Sequence, residues 1–312
     1  MESVTICSRF KKYIGCLTSL NLLNAFDNKI ILRDWIQTFG TVLDHSVLSK
    51  YQLCNCLDTK GGRSYIIQKS ISAGGEGTYL WNEKSFPVIL PQLPNDELYL
   101  VSPEISGLSI SCTIVCYSNN IIVFPPNVQK SCCGKKTNYR ILFEGSDFVE
   151  GNILSKRSRQ KLYESAKRFG EKVVNMGYRG ICGIDFILSN TNSELYIIEA
   201  NPRFLGSSFL INTALADAKL PSLFYFHQQA FQDTPIPNEL CDAAEGLYIP
   251  YYSKVVTNRG IHTKDYMDRV LGSVDNDTSI FWDGFSPEKM SEAELDAYLF
   301  RTCHRKNIKP SK

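Results

Sequence analysis

Concentrated positive charge is what this chain of 312 residues lacks. Its 34 lysines and arginines face 32 acids, the net charge is +2, and the two signs are interspersed. Nucleic acids and anionic membrane surfaces usually demand a basic face, so neither is an expected partner. Long apolar runs are missing as well: "YIGCLTSLNLLNAF" at 13–26 contains serine and asparagines and is shorter than the roughly 20 residues a membrane span needs. The opening "MESVTICSRFKKY" has no basic segment followed by an apolar core and a small-residue cleavage site, which predicts a cytoplasmic protein. Histidine is scarce, with four in all, and Cys54/Cys56, Cys112/Cys116 and Cys132/Cys133 all miss the two-residue gap of a zinc knuckle, so structural zinc is not expected. The eleven cysteines are odd in number in a long chain without an export signal, which predicts reduced thiols rather than a disulfide framework. Cys303 and His304 sit together in a basic tail and read as solvated. There is no internal repeat and no low-complexity tract. With 43% hydrophobic and 21% charged residues, the composition is that of a folded protein with a small-molecule partner.

Several elements are legible. In "DNKIILRDWIQTF" at 27–39 the residues Ile30, Ile31, Trp35, Ile36 and Phe39 recur at helical spacing, with Asp27 placed to cap the start and Gly40 to stop the helix. Strand-like runs follow in "SYIIQKSIS", "GTYLW" and near 97–101, 108–116 and 120–124. Between Ser155 and Met176, Leu162, Ala166, Phe169 and Val173 recur at steps of four, three and four, predicting a long amphipathic helix that ends at Gly177. "ICGIDFIL", the polar "SNTNSE" and "LYIIEANPR" then read as a β-hairpin packed under that helix. Beyond residue 232 the pattern weakens, with Pro235 and Pro237 marking a linker.

The hairpin carries the most chemistry. Alternation puts Gly183, Asp185 and Ile187 on one face of the first strand, and Leu195, Ile197, Glu199 and Asn201 on one face of the second. A turn centred on Asn192 pairs residues whose numbers sum to 384, so Asp185 lies across from Glu199. Two like charges about 5 Å apart destabilise a sheet unless a cation intervenes. Two carboxylates and the Asn201 amide form an oxygen set suited to Mg2+, and Arg203 is placed to hold a phosphoryl or carboxylate group with its planar fork. A slipped register would instead scatter the acids over a surface. The second signal is "QKSISAGGEGT" at 68–78. Lys69 ends a strand, and Gly74, Gly75 and Gly77 let backbone amides approach phosphate oxygens. It is no Walker loop, since Thr78 leads into a strand rather than a helix. Lys29 and Lys69 supply point charges for the phosphates. The basic run "KRSRQK" at 156–161 reads as the solvated face of a helix, with docking of an acidic carrier protein as the alternative.

In order and spacing, "DNK", "QKSISAGGEGT", "VSPEISGLSIS", "GIDFIL" and "IIEANPR" resemble the ATP-grasp superfamily over residues 27–210. The resemblance implies an α+β fold in which two α+β lobes sandwich ATP. It divides the chain into a short N-terminal remnant (1–26), a small lobe with the glycine-rich lid (27–104), a large lobe with the metal-binding hairpin (105–232) and a C-terminal extension (233–312). Lys29 and Lys69 then match the phosphate-contacting lysines, and Gly74, Gly75, Gly77 and Thr78 the loop that closes over the phosphates. Val101, Ser102, Glu104 and Ile105 match the linker that holds adenine, with Ser109 where a ribose-binding acid often stands. Asp185, Glu199 and Asn201 match the metal ligands for Mg2+, two ions in all, which Mn2+ can replace. Arg203 matches the arginine that steadies the acyl phosphate, with Arg140 as a further phosphate or substrate contact. The implied activity is ATP-dependent ligation of a small-molecule carboxylate to an amine or thiol. A phosphotransferase or a non-catalytic nucleotide-binding scaffold on the same frame are the alternatives. Only some 26 residues precede the "DNK" segment where such enzymes carry a further domain, so the acceptor site is expected from residues 233–312 or a partner chain.

Overall fold

The structure, a computed structural model, describes residues 19–56, 62–72, 77–257, 278–282 and 298–305. Helices α1 (Leu20–Asp27) and α2 (Lys29–Gln37) open it, followed by β1 (Ser46–Ser49), α3 (Lys50–Cys56), β2 (Tyr65–Lys69), β3 (Thr78–Trp81), α4 (Phe86–Ile89) and β4 (Leu98–Pro103). The chain then runs through β5 (Gly107–Cys116), β6 (Ile121–Val123), β7 (Asn127–Cys132), β8 (Leu142–Asp147), α5 (Phe148–Asn152) and α6 (Lys156–Asn175). Next come β9 (Gly180–Ser189), β10 (Leu195–Asn201), α7 (Ser208–Asp217), α8 (Leu223–Gln232) and α9 (Asn238–Glu245). Strands β11 (Tyr251–Thr257), β12 (Thr278–Trp282) and β13 (Tyr298–Arg305) complete the mixed α+β chain. No helix among the described residues is long and apolar enough to cross a membrane.

Two sheets organise these elements. The first has four strands in the order β1-β4-β2-β3 and a small core that includes Leu53, Ile67, Tyr79, Trp81 and Tyr99. The second has nine, running β10-β9-β5-β7-β8-β11-β13-β12 with β6 beside β5. The chain crosses between them in the few residues from Pro103 to Gly107, overlapping the stretch at 101–105 read as an inter-lobe linker, of which Val101 and Ser102 belong to β4. Alternation along β5 and β9 explains how one sheet serves three purposes. Ile110, Cys112, Ile114, Cys182, Ile184 and Phe186 face a core shared with Leu162, Ala166, Phe169 and Val173 of α6. From the opposite face, Val115 and Ile181 meet α7, α8 and α9 in a second core, whereas Ser109, Ser111 and Asp185 line a cavity.

Helix α6 forms where its periodicity predicts. Ser155 caps it by accepting from the Ser158 N–H, and its four apolar stripe residues are buried. Its basic run is partly used within the molecule: Arg159 Nη2 donates to the Asn152 carbonyl at 2.6 Å, and Lys161 lies 3.4 Å from Glu194.

Four local expectations are corrected. Asp27 does not cap α2; it ends α1, and Asn28 caps α2 by accepting from the Ile30 and Ile31 N–H groups. The buried face of α2 is Lys29, Leu32, Arg33 and Ile36, while Ile31 is 53% exposed. Two long cations share that face because their charged ends reach polar partners across the site. On β10 a bulge at Ile198 shifts the register between Ile197 and Glu199. Leu195, Ile197 and Ala200 therefore face the core, and Ile198, Glu199 and Asn201 line the cavity. The extra residue reverses the alternation, so the single face expected for Leu195, Ile197, Glu199 and Asn201 does not exist. Finally, Cys303 and His304 are not in a solvated tail: β13 is held between β11 and β12, and Cys303 is buried in the second core.

Candidate functional site

The bulge creates the site. On its turn side β10 pairs with β9 as Leu195↔Leu188 through Ile197↔Phe186, and beyond it as Glu199↔Asp185 through Asn201↔Gly183. The two acids thus stand directly opposite each other, the relationship expected from the sequence, reached through an insertion that a symmetric count does not contain. Each lines a cavity of about 400 Å³, within the range of small-molecule sites.

Asp185 sits at the centre of a polar chain. Its Oδ1 accepts from Gln129 Nε2 at 3.1 Å, its Oδ2 accepts from Asn201 Nδ2 at 3.1 Å, and Asn201 Oδ1 accepts from Arg203 Nη2 at 3.0 Å. Burial pushes the Asp185 carboxyl up to about 6, and the opposing Glu199 charge adds to this; the nearby Ser111 hydroxyl, the Gln129 hydrogen bond and the Arg203 charge pull the other way. Burial and the repulsion between the acids together outweigh what the polar partners return, which is the condition a divalent cation relieves.

Lys29 ties three parts of the site together. Its backbone N–H donates to the Ser70 carbonyl at 2.7 Å, and its Nζ donates to the Ser72 carbonyl at 2.8 Å while lying 3.4 Å from Glu199 Oε1. One side chain, 3% exposed, thereby links α2, the segment entering the glycine loop and the acid pair. One helical turn on, Arg33 is 1% exposed, and its Nη2 donates to the carbonyl of the bulged Ile198 at 3.2 Å. Its Nε and Nη1 have no partner among the described residues. Burial lowers this guanidinium to about 10, against the raising effect of Glu199.

Of the residues singled out from sequence, Lys29, Thr78, Ser109, Asp185, Glu199, Asn201 and Arg203 come together on this cavity. Ser109 Oγ donates to Gln129 Oε1 at 2.9 Å, joining it to the Asp185 chain. Others lie elsewhere. Lys69 Nζ is 3.4 Å from Glu97 Oε2, and its neighbour Gln68 lines the cavity instead. Val101 and Ser102 are buried within β4; the Glu104 N–H donates to the Ser64 carbonyl at 3.0 Å, and Ile105 follows it in the connection to β5. Arg140 donates from Nε to the Thr137 carbonyl at 3.4 Å, beside Ile141 on the cavity wall. Gly77 closes β2 onto β3, its carbonyl accepting from the Lys69 N–H at 2.8 Å. Gly74 and Gly75 lie outside the described residues.

Sequence reasoning passed over Gln129, Ser111, Arg33 and Arg301. Two left a signal: Arg33, four residues after Lys29 and so on the same helical face, and Ser111, two residues after Ser109 and so on the same strand face. Gln129 and Arg301 reach the site by sheet order, which no local pattern encodes.

The comparisons with known proteins fit this geometry. No curated protein sequence matches the chain. Among solved structures, a carboxyaminoimidazole ribonucleotide synthase from Aspergillus clavatus complexed with ATP superposes with a TM-score of 0.68 at 16% identity, over 92% of this chain and 70% of that one. The N5-carboxyaminoimidazole synthase of the same organism, in complex with ADP and 5-aminoimidazole ribonucleotide, gives 0.67 at 15%, with the same coverage. The N5-carboxyaminoimidazole ribonucleotide synthetase of Thermus thermophilus gives 0.63 at 14%, over 96% and 72%. At such identities these likenesses speak for the fold. Residues 28–207, more than half the chain and every expected site residue, match the sequence pattern of the ATP-grasp domain, and the chain belongs to that family.

Proposed function

We propose that this protein is an ATP-dependent ligase that activates a carboxylate as an acyl phosphate, which an amine or thiol then attacks, with release of ADP and phosphate. The observation that carries the reading is the pair of buried Asp185 and half-buried Glu199, opposed across the β9–β10 hairpin in a cavity that Lys29 and Arg203 also line. Asp185, Glu199 and Asn201 would hold Mg2+, whose chemistry is to neutralise the phosphates and leave the γ-phosphorus open to attack. Support for the nucleotide comes from the family, and from fold neighbours described with ATP or ADP.

The protein's own residues then have distinct tasks. Lys29, held between Ser72 and Glu199, offers a fixed positive charge to the phosphates, with Lys69 and Thr78 approaching from the strands that flank the glycine loop. Val101 to Ile105, where the chain passes between the sheets, offers backbone groups for the adenine. Arg203, steadied by Asn201, orients the acid and stabilises charge as the phosphoryl group moves, and Arg140, whose neighbour Ile141 lines the cavity, is a further contact for the phosphate or substrate. Such chemistry asks for positioning and charge rather than a nucleophilic side chain. A cytoplasmic setting is consistent with the free thiols of the described cysteines.

Trapping with hydroxylamine tests the proposal. Incubated with ATP, Mg2+ and a panel of acids, the protein should yield a hydroxamate and one ADP per hydroxamate. A stable phosphorylated acid with no hydroxamate would identify a kinase, and nucleotide binding without turnover of any acid would identify a scaffold.

A further inference from the structure

The C-terminal strands do more than extend the sheet. Strand β11 pairs with β8 at Tyr252↔Asp147, and β13 pairs with β11 in a register that sets Arg301 opposite Val255. Both of these residues line the same cavity as Asp185 and Glu199, yet they lie 48 and 94 residues beyond the matched domain, which ends at 207. Arg301 Nη1 donates to the Gly206 carbonyl at 3.0 Å. Arg203 Nη1 donates to the Phe204 carbonyl at 3.2 Å. Two guanidinium groups from distant parts of the chain are thus tied to one short loop, two residues apart.

The packing around that loop is close. A Cβ at position 206 would lie 2.9 Å from Arg301 Nη1 and 3.8 Å from Phe143 Cε1, so glycine is what lets the guanidinium settle on the loop. Charge is divided unevenly within the cavity. Its acids, Asp185 and Glu199, sit with Gln129, Asn201 and Lys29 and are joined to Arg203 through Asn201, whereas Arg301 is tied to Gly206 in a lining that also includes Leu205, Phe143 and Val255. A planar guanidinium suits the paired oxygens of a carboxylate or phosphate, and a single carboxylate awaiting activation occupies one such fork.

We infer that the acid used by this protein carries a second anionic group, a carboxylate or a phosphate, and that Arg301, set in place by Gly206, binds that group in a subsite built by the C-terminal strands. The inference rests on the ligase reading, since it names the acceptor end of the same site. Arg203, joined to the acid cluster through Asn201, serves the reacting end and Arg301 takes the second group, with Leu205, Phe143 and Val255 offering apolar surface to the carbon chain.

The test is calorimetric binding of butyrate, glutarate and 3-phosphonopropionate to the full chain saturated with Mg2+ and β,γ-imido-ATP, after confirming by thermal shift that the nucleotide binds. In the unaltered protein, glutarate or the phosphonate should bind at least about tenfold more tightly than butyrate, the size of one charged hydrogen bond. Whichever is preferred tells whether the second group is a carboxylate or a phosphate. Arg301→Gln removes the charge, and Gly206→Ala displaces the guanidinium without removing it. Arg301→Gln should erase the preference while the nucleotide shift persists, Gly206→Ala should weaken it, and Arg301→Lys should retain part of it. No preference in the unaltered protein, or one unchanged in both variants, overturns the inference while leaving nucleotide chemistry intact. Absence of the nucleotide shift from the unaltered protein would instead overturn the ligase reading itself.

Discussion

Arg33 and Ile198, 165 residues apart in sequence, are joined by a hydrogen bond of 3.2 Å from the guanidinium to the carbonyl of the bulged residue. The bulge is what turns Glu199 toward Asp185, so a helix outside the hairpin supports the geometry of the acid pair.

Replacing Arg33 separates this role from a merely structural one. Arg33→Met is close in length and removes two buried N–H groups that lack partners among the described residues. The change also leaves the Ile198 carbonyl without its donor, so unfolding free energy should fall by about 1–3 kcal/mol. Loss of a group that orients a metal ligand costs about 10- to 100-fold in metal affinity. The Mg2+ concentration needed for nucleotide binding should therefore rise by that factor, with Arg33→Lys intermediate. A large loss of stability with unchanged Mg2+ dependence would contradict the assignment.

Gly77 is required by its backbone and by its neighbour. Its φ is +78°, and a Cβ there would lie 2.8 Å from Cγ and Cδ of Lys69. Left-handed backbone costs a non-glycine residue about 1–2 kcal/mol. Gly77→Ala should lower the denaturant midpoint accordingly, with an unchanged m-value. In a Lys69→Ala background the penalty should shrink, because the steric part is relieved; equal penalties in the two backgrounds would show that the contact carries no energy.

Asp185 should leave a mark on the stability of the ligand-free protein against pH. Its folded-state pKa, raised from 3.8 to about 6, lies above the unfolded value. Between those values the folded protein holds more protons than the unfolded one, so this group makes stability fall as pH rises through that window. At one pKa unit per 1.36 kcal/mol the loss is at most about 3 kcal/mol. Chemical unfolding at pH 4, 5, 6 and 7 should show this decline in the unaltered protein, and a flatter profile in Asp185→Asn. Parallel profiles would mean that the carboxyl is not held up by its surroundings.

The extent to which the site was legible follows from the range of its contacts. Asp185 and Glu199 were legible because a hairpin is local and its alternation is written in the sequence, and Leu162, Ala166, Phe169 and Val173 because a helical stripe is local too. The bulge at Ile198 was not, since its support comes from Arg33 and no turn residue marks it. Asn28 took the capping role from Asp27 because α1 runs up to Asp27 and leaves the next side chain to cap α2. Gln129 and Arg301 were invisible for a different reason: they reach the cavity through the strand order β9-β5-β7 and β8-β11-β13, a property of the assembled sheet. The placement of β13 within that sheet also overturns the solvated tail read at Cys303 and His304.

The central claim is that Asp185 and Glu199 together receive the metal that accompanies a nucleotide. Thermal unfolding with ADP or ATP, with and without Mg2+, tests it in the unaltered protein and in the Asp185→Asn/Glu199→Gln double variant. Ligand that binds only the folded state at 100 times its Kd adds about 2.7 kcal/mol of stability. The account predicts a magnesium-dependent rise in melting temperature with nucleotide that largely disappears in the variant. An equal rise in both proteins, or one indifferent to magnesium, would contradict it.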